Sequence, residues 1–414
     1  EIVVTAERRS QSLQDVPINI SAFTEEALKR SNITEAKDYL QFASNVAFTE
    51  DGATGPRSVS IAIRGVGNIM STDLVTSGNG IGYFIDDLSV GAAANGTFNP
   101  QLQDMERIEV LRGPQGTYFG RNALGGAINI TTKKPDSKLY GEASAGYGRF
   151  NTWNIDGVAN LPVTENFFLR FVASHEESDG MIKNVNPAGT PDSGYKNNIL
   201  RGAARLEAND RLTFDLSVSY TKEKAGMDNT VPSGVIDGDT KQTLGNFNLQ
   251  PVTQGIGFYP VNQRYVNHNA DEYNNNEFII VNGRITYTAD NFDVRSITGY
   301  MYSHNERLFD QDNISADIFN RKVDGTTDSY SQELRLQSVG EGPFVRTVGG
   351  IVSEDKLAQF SNVYAGADQT YTDPETGVTT RYIPPFFTDG FPINLRNRYN
   401  KIESYGLFAE GTYQ

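Results

Sequence analysis

Catalysis and tight metal binding need titratable side chains gathered at set spacings, and this sequence does not gather them. Its three histidines, His175, His268 and His304, stand far apart with no local ligand spacing, and it contains no cysteine, which removes disulfide frameworks and zinc–thiolate sites. No nucleophile elbow brings serine, histidine and an acid together. Asp86 and Asp87 are neighbours at the end of a strand-like run, so they are expected to point to opposite faces and not to act as an acid–base pair. The Gly65–Gly67 tripeptide is no dinucleotide loop, because no helical pattern follows it. The expectation is a non-enzyme with no cofactor and no bound metal.

The elements that carry these residues come next. The chain has 414 residues, 36 basic and 51 acidic, for a formal charge of −15. That acidity argues against a nucleic-acid partner, which needs a basic face for phosphates. No apolar run reaches the roughly 18 residues that a spanning helix requires. Abundant glycine, tyrosine and phenylalanine (40, 20 and 23 residues) suit a β-rich protein working outside the cytoplasm. The chain opens at Glu1 without an initiator methionine or a signal peptide, so a processed or partial chain is expected.

Two grammars divide the chain near residue 136. Before it, α and β patterns mix. Thr24 is placed to cap a short helix with Glu25 and Glu26 in its first turn, and Thr34 to cap a second helix through Ala36, Tyr39 and Leu40. Strands are expected over 59–64, 82–86, 107–111 and 127–131, which makes a small α+β unit. From Lys138 onward, polarity alternates residue by residue: Leu212, Phe214, Leu216, Val218 and Tyr220 interleave with Thr213, Asp215, Ser217 and Ser219. The same rule puts Arg170 and Arg284 on polar faces, whereas the run from Phe292 to Tyr302 shows no clear apolar face. About ten such runs follow one another, joined alternately by short turns and long connections, as in antiparallel transmembrane β-barrels. Ten strands close a barrel only about 20 Å across, whereas 22 give roughly 44 Å. A compact unit of 1–135 is roughly 37 Å wide, so it could plug only the larger barrel. The expected fold is therefore a transmembrane antiparallel β-barrel, with about ten strands of 22 present. An N-terminal α+β plug fills its lumen, and the chain is a piece of a longer one.

The strongest local signal is Met105–Pro135, MERIEVLRGPQGTYFGRNALGGAINITTKKP: strand, Gly-Pro turn, glycine-rich bend, strand and basic exit. This string resembles the plug signature of TonB-dependent outer-membrane receptors. Ile61–Gly65 (IAIRG) and Ile81–Gly91 (IGYFIDDLSVG) are similar to plug strands of that family in the same order. The likeness covers residues 1–135 and, more loosely, the strands beyond.

The resemblance implies a division into a TonB-box-like segment (1–6), a plug (7–135) and the N-terminal part of the barrel (136–414). Glu1, Ile2, Val3, Val4, Thr5 and Ala6 resemble the TonB box, which pairs with periplasmic TonB by strand addition. Arg64 and Arg112 match the family's plug arginines, with Glu333 and Glu410, on the lumen side of their strands, as the barrel carboxylates that would hold them. Met70, Tyr83, Phe98, Tyr118 and Phe119 are candidate ligand contacts, with burial the competing role for most of them. The implied activity is energy-coupled import across the bacterial outer membrane, driven by TonB with ExbB and ExbD, in a monomer surrounded by outer-membrane lipid and lipopolysaccharide. A ferric siderophore is the leading ligand, with cobalamin, haem or an oligosaccharide behind it. A signal-transducing receptor and a passive porin are the alternatives.

Overall fold

The architecture comes from a computed structural model that describes residues 3–5, 11–14, 16, 18–31, 33–50, 59–67, 80–90, 102–119, 123–226, 264–266, 268–311, 317–339, 344–368, 370–372, 377, 379–381 and 389–413. Its N-terminal part comprises β1 (Val3–Val4), β2 (Gln11–Ser12), β3 (Ile20–Thr24), α1 (Glu25–Arg30), α2 (Ala36–Leu40), β4 (Val46–Glu50), β5 (Val59–Ile63), β6 (Val66–Gly67), β7 (Ile81–Ile85), β8 (Leu88–Ser89), β9 (Met105–Arg112), α3 (Gly116–Phe119) and β10 (Gly126–Thr132). A five-stranded sheet in the order β3-β9-β10-β7-β8 forms its centre, with β4-β5-β6 as a second sheet and β1-β2 as a small pair. In β10, Gly126 through Ile130 are all buried, as expected of a central strand covered on both faces.

Local chemistry explains the element ends. Thr24 caps α1 by accepting a hydrogen bond from the Ala27 amide at 3.4 Å. The second helix starts one residue later than its sequence suggests, with Glu35 rather than Thr34 at the cap. The reason is Asp38, whose carboxylate reaches back to the amides of Thr34 (2.9 Å) and Glu35 (3.1 Å) and occupies the Thr34 hydroxyl as well. Asp86 and Asp87 lie in no strand. They form the two-residue turn between β7 and β8, both left-handed at φ 49° and 72°. Tight hairpins demand that conformation, and aspartate is among the few side chains that tolerate it.

The C-terminal part is one antiparallel sheet of ten strands: β11 (Tyr140–Tyr147), β12 (Trp153–Pro162), β13 (Phe167–Ser178), β15 (Tyr195–Asn209), β16 (Leu212–Ala225), β18 (Tyr273–Thr288), β19 (Phe292–Asp310), β20 (Phe319–Ser338), β21 (Phe344–Ala365) and β24 (Pro392–Tyr413), in that spatial order. Within the long connections sit β14 (Lys183–Asn184), paired with β17 (Tyr265–Val266), and the hairpin β22 (Thr370–Thr372) with β23 (Thr379–Arg381). Among the described residues β11 and β24 are the sheet's edges. No described helix is long and apolar enough to cross a membrane, which says nothing of crossing by strands.

The alternation read from sequence is physical. On β16, Phe214, Leu216 and Val218 are exposed on the outer face, while on β13 Phe168, Arg170 and Val172 are buried on the inner face beneath the plug. Strand β19 lacks a clear apolar face because both of its faces carry apolar groups. Ile297 and Met301 are buried inward, Met301 in the plug's own core, while Tyr300 and Tyr302 point outward.

Candidate functional site

The plug's central core continues into the sheet: Phe278 and Ile280 of β18 and Met301 of β19 pack with Ile108, Ile128 and Leu88. At Gly299 the sheet offers a notch, since a Cβ there would overlap Leu88 Cδ1. Polar contacts surround this patch. Asp104 accepts from Arg170 Nε at 2.8 Å and Arg201 Nη2 at 2.6 Å, with all three side chains almost fully buried. Asp87 accepts from Arg284 Nη2 at 2.6 Å, and the Asp86 carbonyl accepts from Asn282 (2.9 Å) and Arg284 (3.1 Å). Lys29 meets Glu142 at 3.2 Å, and Lys134 meets Asp215 at 3.7 Å. The turn itself is tied to β10, because the Asp86 carboxylate receives both the amide and the hydroxyl of Thr132, at 2.9 and 2.7 Å.

These pairs differ from the pattern that the family resemblance implies. At Asp87 and Asp104 the plug supplies the acid and the sheet supplies arginine. Arg112 is buried and donates to the carbonyl of Ser44 at 3.0 Å and to its hydroxyl. Burial, and then the nearby Arg64 guanidinium, push its pKa down. Arg64 is exposed in a left-handed turn (φ 52°), and Gly113 (φ 101°) packs so closely that a Cβ would stand 2.8 Å from Arg64 Nη1. Glu333 is buried on the inner face of β20, where Arg335 Nε donates to it at 2.8 Å. Glu410 sits opposite Thr347 of β21, a residue buried on that same inner face. Alternation had put Arg170 and Arg284 on polar faces. No local signal links them to Asp104 or Asp87, because those contacts join residues far apart in sequence.

The N-terminal segment is seated, not loose. Val3 and Val4 pair with Ser12 and Gln11, and Val4 is fully buried beside Leu111, Phe119 and Ala127. Thr5 enters a polar box. Its amide donates to Glu109, its hydroxyl lies 3.1 Å from each Glu109 oxygen, and Arg107 Nη2 donates to that hydroxyl at 3.1 Å. Glu109 is wholly buried, and it also receives Arg107 Nε and Asn129 Nδ2, each at 3.0 Å. Sequence reasoning passed over Glu109, which reads as one acid inside a strand. Glu1, Ile2 and Ala6 lie outside the described residues.

Of the candidate ligand contacts, Met70 and Phe98 and the side chain of Tyr118 also lie outside the described residues. Tyr83 is in the central core, its hydroxyl 3.1 Å from that of Tyr39. Burial pushes the Tyr83 hydroxyl up to about 12, and burial raises Tyr39 well above its ordinary value as well. Phe119 packs against Phe84 in a tilted pair, with ring centroids 4.8 Å apart and 60° between the planes. Between α1 and the inner faces of β11 to β13 lies a cavity of about 420 Å³ lined by Lys29, Asp104, Tyr140, Glu142 and Asp156, among others. No group of three or more metal-ligating side chains occurs among the described residues.

An α+β unit docked by charge and shape against the inner face of a sheet with an apolar outer face defines a plugged outer-membrane β-barrel. Residues 12–127 match the model of the TonB-dependent Receptor Plug Domain. The chain is similar to the vitamin B12 transporter BtuB of Vibrio vulnificus (strain YJ016), at 30% identity over 236 residues, which is 55% of this chain and 37% of that protein. The pesticin receptor of Yersinia enterocolitica is 24% identical over 286 residues, 67% of this chain and 38% of the receptor. The crystal structure of the ferric yersiniabactin uptake receptor FyuA from Yersinia pestis superposes with a TM-score of 0.75 at 18% identity, over 99% of this chain and 56% of that one. The chain thus spans little more than a third of the first curated relative's length and about half of the solved receptor's. Its place is the outer membrane of a Gram-negative bacterium.

Proposed function

We propose that the protein is an energy-coupled importer in which residues 1–6 are the TonB-binding segment, 7–135 the plug and 136–414 barrel strands. The reading rests above all on the seated strand Val3–Val4 and the anchored Thr5 that follows it, attached to a plug that is itself bonded to the barrel's inner face. A strand of this kind can be gripped by TonB through strand addition, with ExbB and ExbD supplying inner-membrane energy. Force is needed because buried ion pairs such as Asp104 with Arg170 and Arg201 hold the lumen closed. Arg64 and Arg112, with Glu333 and Glu410, remain proposed as further docking charges. No bond in the cargo is made or broken. Deleting residues 1–6 from the full-length receptor should abolish uptake and leave ligand binding intact. Normal uptake by that deletion would refute the coupling assignment.

The cargo proposed first is a ferric siderophore, in line with the named ligand of the FyuA structure. Cobalamin is the second reading, supported by the relative named a vitamin B12 transporter. Strong induction of the gene by iron starvation supports the first, and no response to iron moves the weight to cobalamin. Single-channel recording of the intact receptor separates both from a passive porin, because a seated plug blocks conductance.

A further inference from the structure

The plug does not meet the sheet evenly. Its central core takes in Phe278 and Ile280 of β18 and Met301 of β19, but among the described residues nothing from β11 or β12. A cavity of about 420 Å³ stands there instead, between these strands and α1. Its barrel wall is polar: Tyr140, Glu142 and Ser144 of β11, Asn154 and Asp156 of β12, and Glu176 of β13. Register sets its height. Tyr140 stands opposite Asn160 and Glu176 opposite Asn154, so the wall follows β12 from Asn154 to Asn160. That is about 20 Å along the strand, or roughly 15 Å of membrane height at a barrel tilt near 40°. The cavity therefore covers more than half of the apolar band, which is about 25 Å tall.

Charge closes the lower mouth. Tyr140 and Glu142 lie toward the end of the sheet that carries the short turns, which is the periplasmic end. There four alternating charges cross from the strand β10 exit to β11. Lys133 meets Glu25 at 2.5 Å, Glu25 meets Lys29 at 3.3 Å, and Lys29 meets Glu142 at 3.2 Å. Lys29 is 59% exposed and Glu142 44%, and water screens such pairs so that they hold weakly. Leu28 is the buried residue of α1, a helix of six residues. One apolar anchor and a screened chain of charges thus hold this helix in place. It also follows β3 without a break, and β3 is an edge strand of the central sheet. A pull on residues 1–6 reaches β3 and α1 before the buried ties at Asp87 and Asp104, which lie further along the chain.

We infer that this cavity is a hydrophilic passage through the plugged lumen and that α1 is the leaf shutting its periplasmic mouth. The inference rests on the importer reading and narrows its cargo. Above the mouth the wall is acidic. Asp156 accepts from the neutral side chains of Ser144 (3.2 Å), Asn154 (2.7 Å) and Ser174 (2.6 Å), and Glu176 accepts from the Tyr195 hydroxyl at 2.8 Å. Carboxylates lining a pore favour cations over anions. The passage therefore suits a hydrated solute with hydrogen-bonding groups and no net negative charge, such as a neutral or cationic ferric complex.

The test uses the full-length receptor in planar bilayers under a potassium chloride gradient, with any cysteine outside residues 1–414 replaced. Leu28→Ser/Lys29→Glu removes the buried anchor and puts three like charges in a row from Glu25 to Glu142. The helix should then leave β11, and a receptor that was silent should leak. Lys29→Glu alone, which leaves the core untouched, should leak less often. The leak should be cation-selective, read as a reversal potential shifted toward that of potassium. In the double-variant background a bulky neutral thiol adduct on Ser144→Cys, which lines the cavity, should close the leak. The same adduct on Ser353→Cys, on the lumen face of β21 and outside the cavity, should not. A silent double variant with a folded barrel, a leak without cation selectivity, or equal closure from position 353 would each overturn the proposal. The assay involves neither TonB nor residues 1–6. Normal uptake by the 1–6 deletion would therefore refute the coupling reading and leave this result standing.

Discussion

The buried carboxylate of Glu109 holds the N-terminal segment, and its removal has a calculable consequence. Leaving the seat exposes Val4, which is fully buried, at a cost of about 1.5–3 kcal/mol. It also breaks the hydrogen bonds from Thr5 to Glu109, and a bond to a charged acceptor contributes about 1.5–3 kcal/mol. The seated state is then favoured by about 3–6 kcal/mol, so the open state is populated on the order of one part in a hundred to one in ten thousand. Glu109→Ala removes the second contribution and should raise the open fraction by roughly 10- to 150-fold. Residues 1–414 contain no cysteine, so with any cysteine elsewhere in the full-length receptor replaced, Val4→Cys provides a single thiol that a maleimide reaches only when the segment leaves its seat. In that background the labelling rate should rise by the same factor on adding Glu109→Ala, with heat-modifiable gel mobility reporting that the barrel remains folded. An unchanged labelling rate in a folded double variant would show that Glu109 does not hold the segment.

Three further outcomes follow from the docking contacts and the core. Asp104→Ala leaves the buried Arg170 and Arg201 without their shared carboxylate, a loss of about 3–5 kcal/mol, and should produce ion leak in planar bilayers where the unaltered receptor is silent. Gly299→Ala places a methyl group against Leu88, which should destabilise plug seating by about 1–3 kcal/mol, measured as earlier protease cleavage of the plug on heating. The folded plug keeps the Tyr39 and Tyr83 protons after the unfolded chain, titrating near 10, has released its own. Stability should therefore fall as pH rises from about 10 toward 12. Urea unfolding across that range should show a shallower fall in a Tyr39→Phe/Tyr83→Phe double variant.

Much of this protein was legible in the order of its residues. Alternation at a period of two depends only on the extended backbone, so Leu212 to Tyr220 declared an outer and an inner face without any partner strand. The cap at Thr24 is a contact across three residues, and the glycine-rich string after Met105 is local turn chemistry, so both could be read directly. The N-terminal segment could be singled out by its β-branched residues and its place ahead of the plug. What the sequence could not show is which charges meet. Asp87 finds Arg284 and Asp104 finds Arg201 across separations of 197 and 97 residues, and Thr5 finds Glu109 across 104. The same holds for Lys29 and Glu142, which meet across 113 residues. Residue type and spacing determine which face a side chain takes. Only the folded sheets decide what stands across from it, because Coulomb energy and hydrogen bonding depend on distances that chain order does not contain.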